Sequence, residues 1–387
     1  MKHILIFNDS MQFGGTEVLL VNILKHLTDS GSPCKITLLL PAPNDADLLL
    51  DEVPDSVEVK YIYRQKLPRF KKVFYENLMS FFPSLFLKMV HLDLNKYDLL
   101  LCFKDGLYSV IFPHCQRPTI LWVHNLPVKR DFHVASLKEY IPVQMQRARV
   151  YRFLRSFLSY SQVVFVSHAT MHNYIKLYYN GKQKKQDLRV IYNAIDFSRI
   201  GKLSMEPLQW DMEPHPVFVM AVRFSIEKGI DRVVTAAKRL KDEGYKFKVV
   251  IMGDGPFFED IKGQIEKYAL ADEISLKGYV ANPYPCIKAA DWLICSSEKE
   301  SFSLVVVESI CLGTPVIATD CGGPTEISDN GKYALLTENS SEGIYTGMKK
   351  ALDNPALANN YTSLADECLR RFNYDKWLDD ATKILLP

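Results

Sequence analysis

The sequence predicts an α/β protein of two doubly wound domains, each built on a parallel β-sheet. Short apolar runs of strand length alternate with stretches of helical periodicity through both halves of the chain. The segment from Ser296 to Ile327 shows this order most clearly, as the strand, loop, helix and strand of a βαβ unit. A length of 387 residues without a short-period repeat is enough for two such domains.

The composition excludes several classes of protein. Hydrophobic residues make up 48% of the chain and charged residues 24%, which is ordinary for a globular protein and excludes a disordered one. No run of about 18 uncharged apolar residues is present, so no transmembrane helix is expected. The start, MKHILIFND, is too short and too soon acidic for a signal peptide. The eight cysteines lack C-x-x-C spacing, so we expect reduced core thiols and a cytoplasmic protein.

The charge is divided unevenly along the chain. Residues 1–200 carry a net charge of +9 and residues 201–387 a net charge of −7, although the whole chain carries only +2. A basic first half predicts an anionic partner, such as a membrane surface or a lipid phosphate. No nucleic-acid partner is expected.

The chain opens with an apolar strand, His3–Phe7, then a turn containing Gly14 and Gly15, then a helix with Thr16 as its predicted N-cap. A glycine-rich loop between strand and helix lets the backbone approach a phosphate or a sugar. The spacing is not G-x-G-x-x-G, so a tight turn without a ligand explains these residues equally well.

Asp45-Ala46-Asp47 has the D-x-D spacing of a known metal-binding motif. It lies in a loop rich in Pro and Asn and lacks supporting residues nearby. We interpret it as a solvated loop and expect no metal site.

Two stretches of the first half are basic. Residues 66–91 interleave Lys and Arg with Phe and Leu, and such an amphipathic segment can lie on an anionic membrane. The alternative is a helix pair that packs on the sheet and breaks at Pro83. The second stretch is either a surface that binds a substrate phosphate or lipid headgroups, or a solvated helix. Its cations are Lys129, Arg130, Lys138, Arg147, Arg149, Arg152 and Arg155.

The strand Thr119–Val123 ends in His124. A single histidine is usually structural, but ligand-binding residues gather at the carboxyl ends of parallel strands. Further along, residues 197–215 lack periodicity and contain prolines, so they are the predicted linker between domains.

Arg223 and Lys228 lie five residues apart between the strand Val217–Val222 and a helix. A planar guanidinium and an ammonium at such a point suit a diphosphate, although ordinary surface basicity also explains them. The G-x-G at Gly253 that follows the strand Lys248–Met252 is a weak signal by itself.

Glu300 lies in the loop after the strand Asp291–Cys295, and Glu308 lies about two turns into the following helix. The first-turn amides around Phe302, Ser303 and Leu304 are candidates to bind anionic oxygens. Glu308 belongs to a helix that is apolar around most of its circumference, so its carboxylate needs a partner. A ligand hydroxyl is one candidate.

The E-x7-E spacing of Glu300 and Glu308 resembles that of the retaining glycosyltransferases of family 4. The following GTPVIATDCGGPTEI resembles the continuation of that motif. Arg223 and Lys228 match the R-x4-K-G motif of the family, and Gly14 and Gly15 match its first loop. Ser303 departs from the pattern, because many members have glycine there.

The resemblance implies the GT-B fold, in which two Rossmann-like domains face each other across a cleft and a C-terminal helix crosses back to the first domain. We expect an acceptor-side domain at 1–196, a nucleotide-sugar-binding domain at 197–371 and the crossover helix at 372–387.

The resemblance also implies roles for the candidate residues. The catalytic residues would be Glu300, which stabilises an oxocarbenium-like transition state, and His124, which meets the donor sugar. Glu308 would hold the ribose hydroxyls. The donor diphosphate would be bound by Arg223, Lys228, Phe302, Ser303 and Leu304. The nucleobase region would be Gly253, Gly278, Tyr279 and Val280, and the cleft loop would hold Gly14 and Gly15.

The expected function is a retaining glycosyltransferase that moves a sugar from a nucleotide-diphosphate donor to a glycan or lipid-linked acceptor. It would act without metal or cofactor, in cell-surface glycan or glycolipid synthesis, in the cytoplasm and on the inner face of the cell membrane. The alternatives are a GT-B nucleotide-sugar epimerase or phosphorylase, or a non-catalytic sugar-nucleotide-binding relative.

Overall fold

The computed structural model describes residues 1–12, 14–29, 34–125, 137–179, 186–208, 210 and 216–386. Its contacts divide the chain into two compact units, Met1–Tyr192 with Asp375–Pro387, and Asn193–Tyr374. Lys129, Arg130, the side chain of Lys138 and the predicted loop 181–185 lie outside the described residues. In the part of the chain that is described, no helix is long and apolar enough to cross a bilayer.

The first unit is built on a seven-stranded, fully parallel sheet with the order β3-β2-β1-β4-β5-β6-β7. The strands are β1 (Lys2–Phe7), β2 (Cys34–Leu40), β3 (Glu58–Tyr61), β4 (Leu99–Cys102), β5 (Thr119–Val123), β6 (Gln162–Phe165) and β7 (Asp187–Val190). The helices up to residue 179 are α1 (Gly15–Asp29), α2 (Arg69–Phe81), α3 (Pro83–Met89), α4 (Leu137–Ser156) and α5 (His168–Tyr174), which continues as a π-helical turn at Ile175–Tyr179.

The central strands of this sheet are largely apolar because both faces are covered. Residues 4–7 of β1 and all of β4 and β5 are buried. The order of the strands reverses between β1 and β4, so the segments that follow these two strands diverge at a topological switch point. Asp9 and Lys104 follow the two strands at this point.

The second unit is built on a six-stranded parallel sheet with the order β10-β9-β8-β11-β12-β13. Its strands are β8 (Val217–Ala221), β9 (Lys248–Met252), β10 (Ile274–Gly278), β11 (Trp292–Cys295), β12 (Val316–Thr319) and β13 (Leu335–Thr337). Its helices are α6 (Phe197–Leu203), α7 (Ile230–Asp242), α8 (Phe258–Lys267), α9 (Tyr284–Ala289), α10 (Leu304–Cys311), α11 (Gly323–Ile327), α12 (Ser341–Asp353), α13 (Leu357–Thr362) and α14 (Ala365–Leu369).

The last helix, α15 (Tyr374–Leu385), carries the chain from the second unit back to the first. Its apolar face, which includes Trp377, Ala381 and Leu385, is buried. The Lys2 ammonium donates to the Leu385 carbonyl at 3.1 Å, which ties the end of the chain to its first strand. The predicted returning C-terminal helix is therefore confirmed.

The structure differs from the sequence-based interpretation at the junction between the units. Residues 197–203, predicted as linker, form α6, whose N-terminus is capped by the Asp196 carboxylate accepting from the Arg199 amide at 2.9 Å. The helix has only seven residues, too few to show a periodic pattern. The units divide after Tyr192, so residues 193–196 group with the second unit.

Candidate active site

Three loops of the second unit meet at the carboxyl ends of β8, β9 and β10. The Phe224 amide donates to the Asp254 carbonyl at 3.0 Å, and the Gly253 amide donates to the Gly278 carbonyl at 2.7 Å. Gly253 has a φ of +137°, and a Cβ there would lie 1.8 Å from the Val222 carbonyl oxygen. The backbone that approaches Gly253 closely is therefore that of the neighbouring loop, and a side chain at 253 would separate the two.

The loop that follows β8 carries the two predicted diphosphate-binding cations. Arg223 is exposed, and its guanidinium has no hydrogen-bond or ion-pair partner among the described residues. Lys228 is held in place, because its ammonium contacts Glu300 and its carbonyl accepts from the Ser296 hydroxyl at 2.8 Å. Gly229 has a φ of +60° and lies so close to the Ser296 carbonyl that a Cβ would approach it to 2.4 Å. The β8 loop is thus packed tightly against the end of β11.

Lys228 and Glu300 form the central ion pair of this region. The Lys228 ammonium lies 2.6 Å from Glu300 Oε2, and the Ser297 hydroxyl donates to the same oxygen at 3.1 Å. Burial alone would lower the pKa of Lys228, but the attraction of the Glu300 carboxylate outweighs it and raises the pKa. Both donors use Oε2, and Oε1 has no partner among the described residues.

The segment between Glu300 and α10 is fixed by the paired glycines that follow β12. The Gly323 amide donates to the Glu300 carbonyl at 2.8 Å, and the Glu300 amide donates to the Cys321 carbonyl at 3.3 Å. A Cβ at Gly323 would lie 2.4 Å from the Phe302 carbonyl oxygen. The predicted GG sequence therefore positions the Glu300 loop.

Ser303 caps α10 in a left-handed conformation, with a φ of +84°. This backbone region favours glycine, which explains why a glycine suits the position. The Ser303 side chain is buried, and its hydroxyl lies 3.7 Å from Cys295 Sγ. Phe302 is also buried, with its ring against Phe372, so only its backbone is suited to meet a ligand. Leu304 begins the helix and is half-buried.

Glu308 lies on α10 in apolar surroundings, as its sequence position predicted. The Tyr284 hydroxyl donates to Glu308 Oε1 at 3.3 Å, which is a long hydrogen bond. Burial raises the pKa of Glu308 to about 7, against a smaller lowering by Tyr284. The side chain is still partly accessible, so its second oxygen is available to a ligand.

Three of the four predicted nucleobase residues lie at the end of β10, and the fourth, Gly253, follows β9. Gly278 has a φ of +66°, and a Cβ there would meet nothing within 4 Å. Glycine suits this position because of its left-handed backbone conformation, not because a side chain would clash. Tyr279 is largely exposed, and Val280 is half-buried.

His124 lies at the end of β5 in the first unit and is buried. Its ring stacks on Trp122 at 6.2 Å and contacts Phe103 at 4.7 Å. Burial, with a smaller contribution from Lys104, lowers the pKa of His124 to about 3, so the imidazole is neutral at physiological pH. Nε2 is buried and has no hydrogen-bond partner among the described atoms, which leaves it able to bond to a ligand hydroxyl.

Sequence reasoning missed four charged residues at the switch point of the first unit: Asp9, Glu17, Lys104 and Asp105. The Lys104 ammonium lies 2.6 Å from Glu17 Oε1. Asp105 accepts from the His124 amide at 3.2 Å, and burial raises its pKa to about 6. Burial likewise raises the pKa of Asp9 to about 6. Asp9, Lys104 and Asp105 could have been predicted from the sequence, because they directly follow the strands β1 and β4.

The predicted glycine loop lies beside this cluster. Gly15 begins α1, so Thr16, the predicted N-cap, lies within the first turn. A Cβ at Gly14 would lie 2.5 Å from Glu17 Oε2. Gly14 thus leaves space for the buried Glu17 carboxylate.

Asp47 of the D-x-D sequence is buried, which corrects the prediction of a solvated loop. Its carboxylate accepts from the Met11 amide at 2.8 Å and so ties the segment after β1 to the segment after β2. Within the described residues, no three His, Cys, Asp or Glu side chains are grouped as a metal site.

Two arginines of the predicted basic stretch join α4 to α2. Arg149 pairs with Glu76 at 3.1 Å, and Arg152 donates to the carbonyls of Ser80 and Phe81 at the end of α2. These two arginines therefore join helices of the unit and do not lie on a simply solvated face. Arg155 is exposed.

Two family models match consecutive parts of the chain. The model described as Glycosyltransferase Family 4 matches residues 13–199, and the model described as Glycosyl transferases group 1 matches residues 208–367. The two matches follow the two units of the structure.

Curated relatives match part of the chain. The N-acetylgalactosamine-N,N'-diacetylbacillosaminyl-diphospho-undecaprenol 4-alpha-N-acetylgalactosaminyltransferase of Campylobacter jejuni is 29% identical over 51% of this chain and 53% of its own length. The N-acetyl-alpha-D-glucosaminyl L-malate synthase of Bacillus anthracis is 28% identical over 44% of this chain and 45% of its own. The chain therefore spans about half the length of the curated relatives it matches.

A solved structure matches the whole chain. The crystal structure of HepE from Anabaena in complex with UDP and glucose superimposes with a TM-score of 0.72 and 21% identity, over 99% of this chain and 98% of that one. Together with the two parallel sheets, this match shows the GT-B fold.

Proposed function

Because the chain belongs to glycosyltransferase family 4, we propose that it transfers a sugar from a nucleotide-diphosphate donor with retention of anomeric configuration. The observation that carries this proposal is the contact between Lys228 and Glu300, which joins a cation suited to the donor diphosphate to a carboxylate suited to the sugar. Both family models span the regions that hold these and the other site residues.

Departure of the nucleotide diphosphate builds negative charge on the leaving group. Arg223 and Lys228 would stabilise that charge, and the backbone around Phe302, Ser303 and Leu304 would add the positive end of α10. Arg223 is exposed and unpaired among the described residues, so its guanidinium can turn to a phosphate without breaking an existing contact. These groups supply the stabilisation without a metal ion.

Glu300 would bind sugar hydroxyls through Oε1 and stabilise positive charge at the anomeric carbon. Lys228 and Ser297 hold its other oxygen, so the carboxylate is fixed before the donor binds. In this mechanism the acceptor attacks from the face that the leaving group vacates, and a phosphate oxygen of the leaving group takes the acceptor proton. Glu300 forms no covalent bond to the sugar.

Glu308 would accept hydrogen bonds from the ribose hydroxyls, for which its partly accessible carboxylate is suited. The exposed Tyr279 and the backbone at Gly253, Gly278 and Val280 would meet the nucleobase. In the first unit, neutral His124 would bond to a hydroxyl of the donor sugar through Nε2, and the loop at Gly14 and Gly15 would approach the substrate with its backbone.

The nucleotide site is tested by a thermal-shift screen of UDP, GDP, ADP and their common sugar conjugates, with EDTA and then with magnesium. We expect a base-selective rise with EDTA, since a ligand at 100 times its Kd adds about 2.7 kcal/mol to the stability. No rise with any nucleotide would contradict the donor site, and a rise only with magnesium would contradict metal independence.

Two other enzyme classes share the scaffold. Incubation with the nucleotide sugar identified in the screen, without acceptor, separates a transferase from an epimerase, since only the epimerase converts the donor. A phosphorylase would release sugar 1-phosphate from a glycan and inorganic phosphate. A non-catalytic relative would bind the nucleotide sugar, but it would convert neither the nucleotide sugar nor a glycan.

We further propose that the acceptor is a lipid-linked glycan or a glycolipid of the cell surface, met at the inner face of the membrane. Two relatives support this, since one acts on a diphospho-undecaprenol-linked sugar and another, from Streptococcus pneumoniae, is an alpha-monoglucosyldiacylglycerol synthase. The latter is 38% identical over 25% of this chain.

The surface of α2 and α3 supports a membrane location for the enzyme. Six large apolar side chains there are between 44% and 71% exposed: Phe70, Val73, Phe74, Phe82, Leu85 and Met89. Arg69, Lys71 and Lys88 lie among them and are exposed. Exposed aromatic side chains interleaved with cations fit the interface of an anionic bilayer.

Co-sedimentation with phosphatidylglycerol vesicles tests this location. We expect salt-sensitive binding that Phe70→Glu weakens, while Leu48→Glu, at a similarly exposed position outside these helices, leaves it unchanged. Equal binding of the two variants would contradict the assignment of this surface.

A further inference from the structure

The first unit contains a cavity of about 370 Å³ at the carboxyl edge of its sheet. Segments that follow β1, β2 and β3 surround it, together with the start of α2 and the segment after β4. Ligands of open α/β sheets bind at this edge. No residue assigned above to the donor lines the cavity, so its ligand is a different one.

A buried carboxyl group supplies the polar floor of the cavity. Asp9 lines it, and Asp9 Oδ1 is buried without a hydrogen-bond partner among the described atoms. A Cβ at Gly106 would lie 2.2 Å from Asp9 Oδ2, so glycine at 106 makes room for this carboxyl. A buried oxygen without a partner is costly, and a ligand hydroxyl would satisfy it.

Two tyrosines form a second polar element. The side chains of Tyr63 and Tyr108 lie near each other, and both residues line the cavity. Pro41, Pro43 and Leu107 add apolar wall. An aromatic and apolar wall with a few fixed polar groups is suited to the mixed surface of a sugar ring.

Two exposed lysines add ammonium groups to a cavity that the acids Asp9, Asp47 and Glu76 also line. Lys66 and Lys72 line it, and neither side chain has an ion-pair partner among the described residues. Both other acids of the lining already have partners, since Glu76 is paired with Arg149 at 3.1 Å and the Asp47 carboxylate accepts from the Met11 amide at 2.8 Å. The two lysines therefore remain available for an anionic ligand.

We propose that this cavity binds a saccharide that carries a phosphate, with Asp9 on a sugar hydroxyl and Lys66 and Lys72 on the phosphate. The assignment names the acceptor class of the proposed transferase and so rests on that proposed function. The phosphate belongs either to a soluble sugar phosphate or to the headgroup of a lipid-linked sugar.

Binding of glucose 1-phosphate and of uncharged methyl glucoside to the full chain, measured by ligand-observed NMR, tests the site. Three variants are compared with the wild type: Asp9→Asn, the double variant Lys66→Gln/Lys72→Gln, and the control Lys96→Gln/Lys176→Gln. The control removes two exposed lysines of the same unit outside the cavity. A second arm uses dodecyl glucosyl phosphate in phosphatidylcholine vesicles, and stronger binding there than in solution assigns the lipid-linked source.

We expect glucose 1-phosphate to bind more tightly than methyl glucoside, and the Lys66/Lys72 variant to lose at least about tenfold in affinity. The control should bind like the wild type, and Asp9→Asn should weaken both ligands. Equal affinity of the Lys66/Lys72 variant and the control, or no binding to the wild type, overturns the proposal. Nucleotide binding is measured on the same samples, so a chain that binds nucleotide but no phosphorylated sugar refutes only this inference.

Discussion

Lys228 and Glu300 form an ion pair of 2.6 Å although 72 residues separate them in the chain. Both side chains are largely buried, so the contact fixes the loop after β8 against the loop after β11. A phosphate beside Lys228 would share the ammonium with Glu300 rather than find it free. Binding of the diphosphate and orientation of the Glu300 carboxylate are therefore coupled through one ammonium group.

Replacement of Glu300 by Gln removes the negative charge and keeps the shape of the side chain. We expect kcat to fall by at least about 100-fold, because charge stabilisation at the reacting centre contributes this much in comparable sites. The measurement is the initial rate of sugar transfer, with a thermal unfolding curve to show that the fold persists. Glu298→Gln is the matched control, since Glu298 pairs with Arg232 instead. Near-wild-type turnover in the Glu300 variant would remove its assigned role.

Replacement of Arg223 by Gln separates donor binding from stability. Because Arg223 is exposed and has no partner among the described residues, we expect unchanged unfolding and a donor affinity about tenfold lower by calorimetry. Lys228→Gln should lower both the donor affinity and the free energy of unfolding, since it also leaves Glu300 without its cation. Lys246→Gln, at an exposed position outside the site, serves as the neutral control. An unchanged affinity in the Arg223 variant would contradict the diphosphate site.

Much of the fold follows from local sequence. The strands Thr119–Val123 and Lys248–Met252 were predicted with their observed bounds, because continuous apolar runs mark buried parallel strands. β13 (Leu335–Thr337) was missed because three residues are too few to show a hydrophobic periodicity. α6 was missed for a similar reason, since a seven-residue helix resembles an irregular linker.

The site was predicted only in part, because tertiary contacts decide what a loop residue does. The sequence suggested Arg223, Lys228 and Glu300 separately, but it could not show that Lys228 contacts Glu300 while Arg223 stays exposed. Asp47 looked like a solvated acid, and its bond to the Met11 amide depends on two segments that only the sheet brings together.

Replacement of Ser303 by Gly should stabilise the protein. A non-glycine residue in the left-handed region costs about 1–2 kcal/mol, and glycine loses about 0.5–1 kcal/mol of that gain to chain entropy. The φ of +84° at Ser303 therefore predicts a net gain of up to about 1.5 kcal/mol in the free energy of unfolding, measured by urea titration. Ser301→Gly is the neighbouring control, and it should destabilise, because Ser301 is buried and lacks the positive φ. A destabilised Ser303→Gly variant would contradict the inference that the backbone of Ser303 is strained.

Glu308 predicts opposite pH dependences for stability and donor binding. Burial raises its pKa from 4.5 to about 7, so the folded protein binds more protons than the unfolded chain in this range. Stability should therefore fall as the pH rises from about 4.5 through 7, by about 1–3 kcal/mol relative to Glu308→Gln. Urea unfolding at several pH values measures this, with Glu266→Gln as an exposed control.

Donor binding should respond in the other direction, because ribose hydroxyls donate to the ionised carboxylate and favour it. Affinity should rise between about pH 6 and 8, and calorimetry in buffers of different ionisation enthalpy should record proton release on binding. Glu308→Gln should bind the donor more weakly and lose this pH dependence, since its amide does not titrate. If the variant keeps the wild-type pH profile, another group titrates and Glu308 does not hold the ribose.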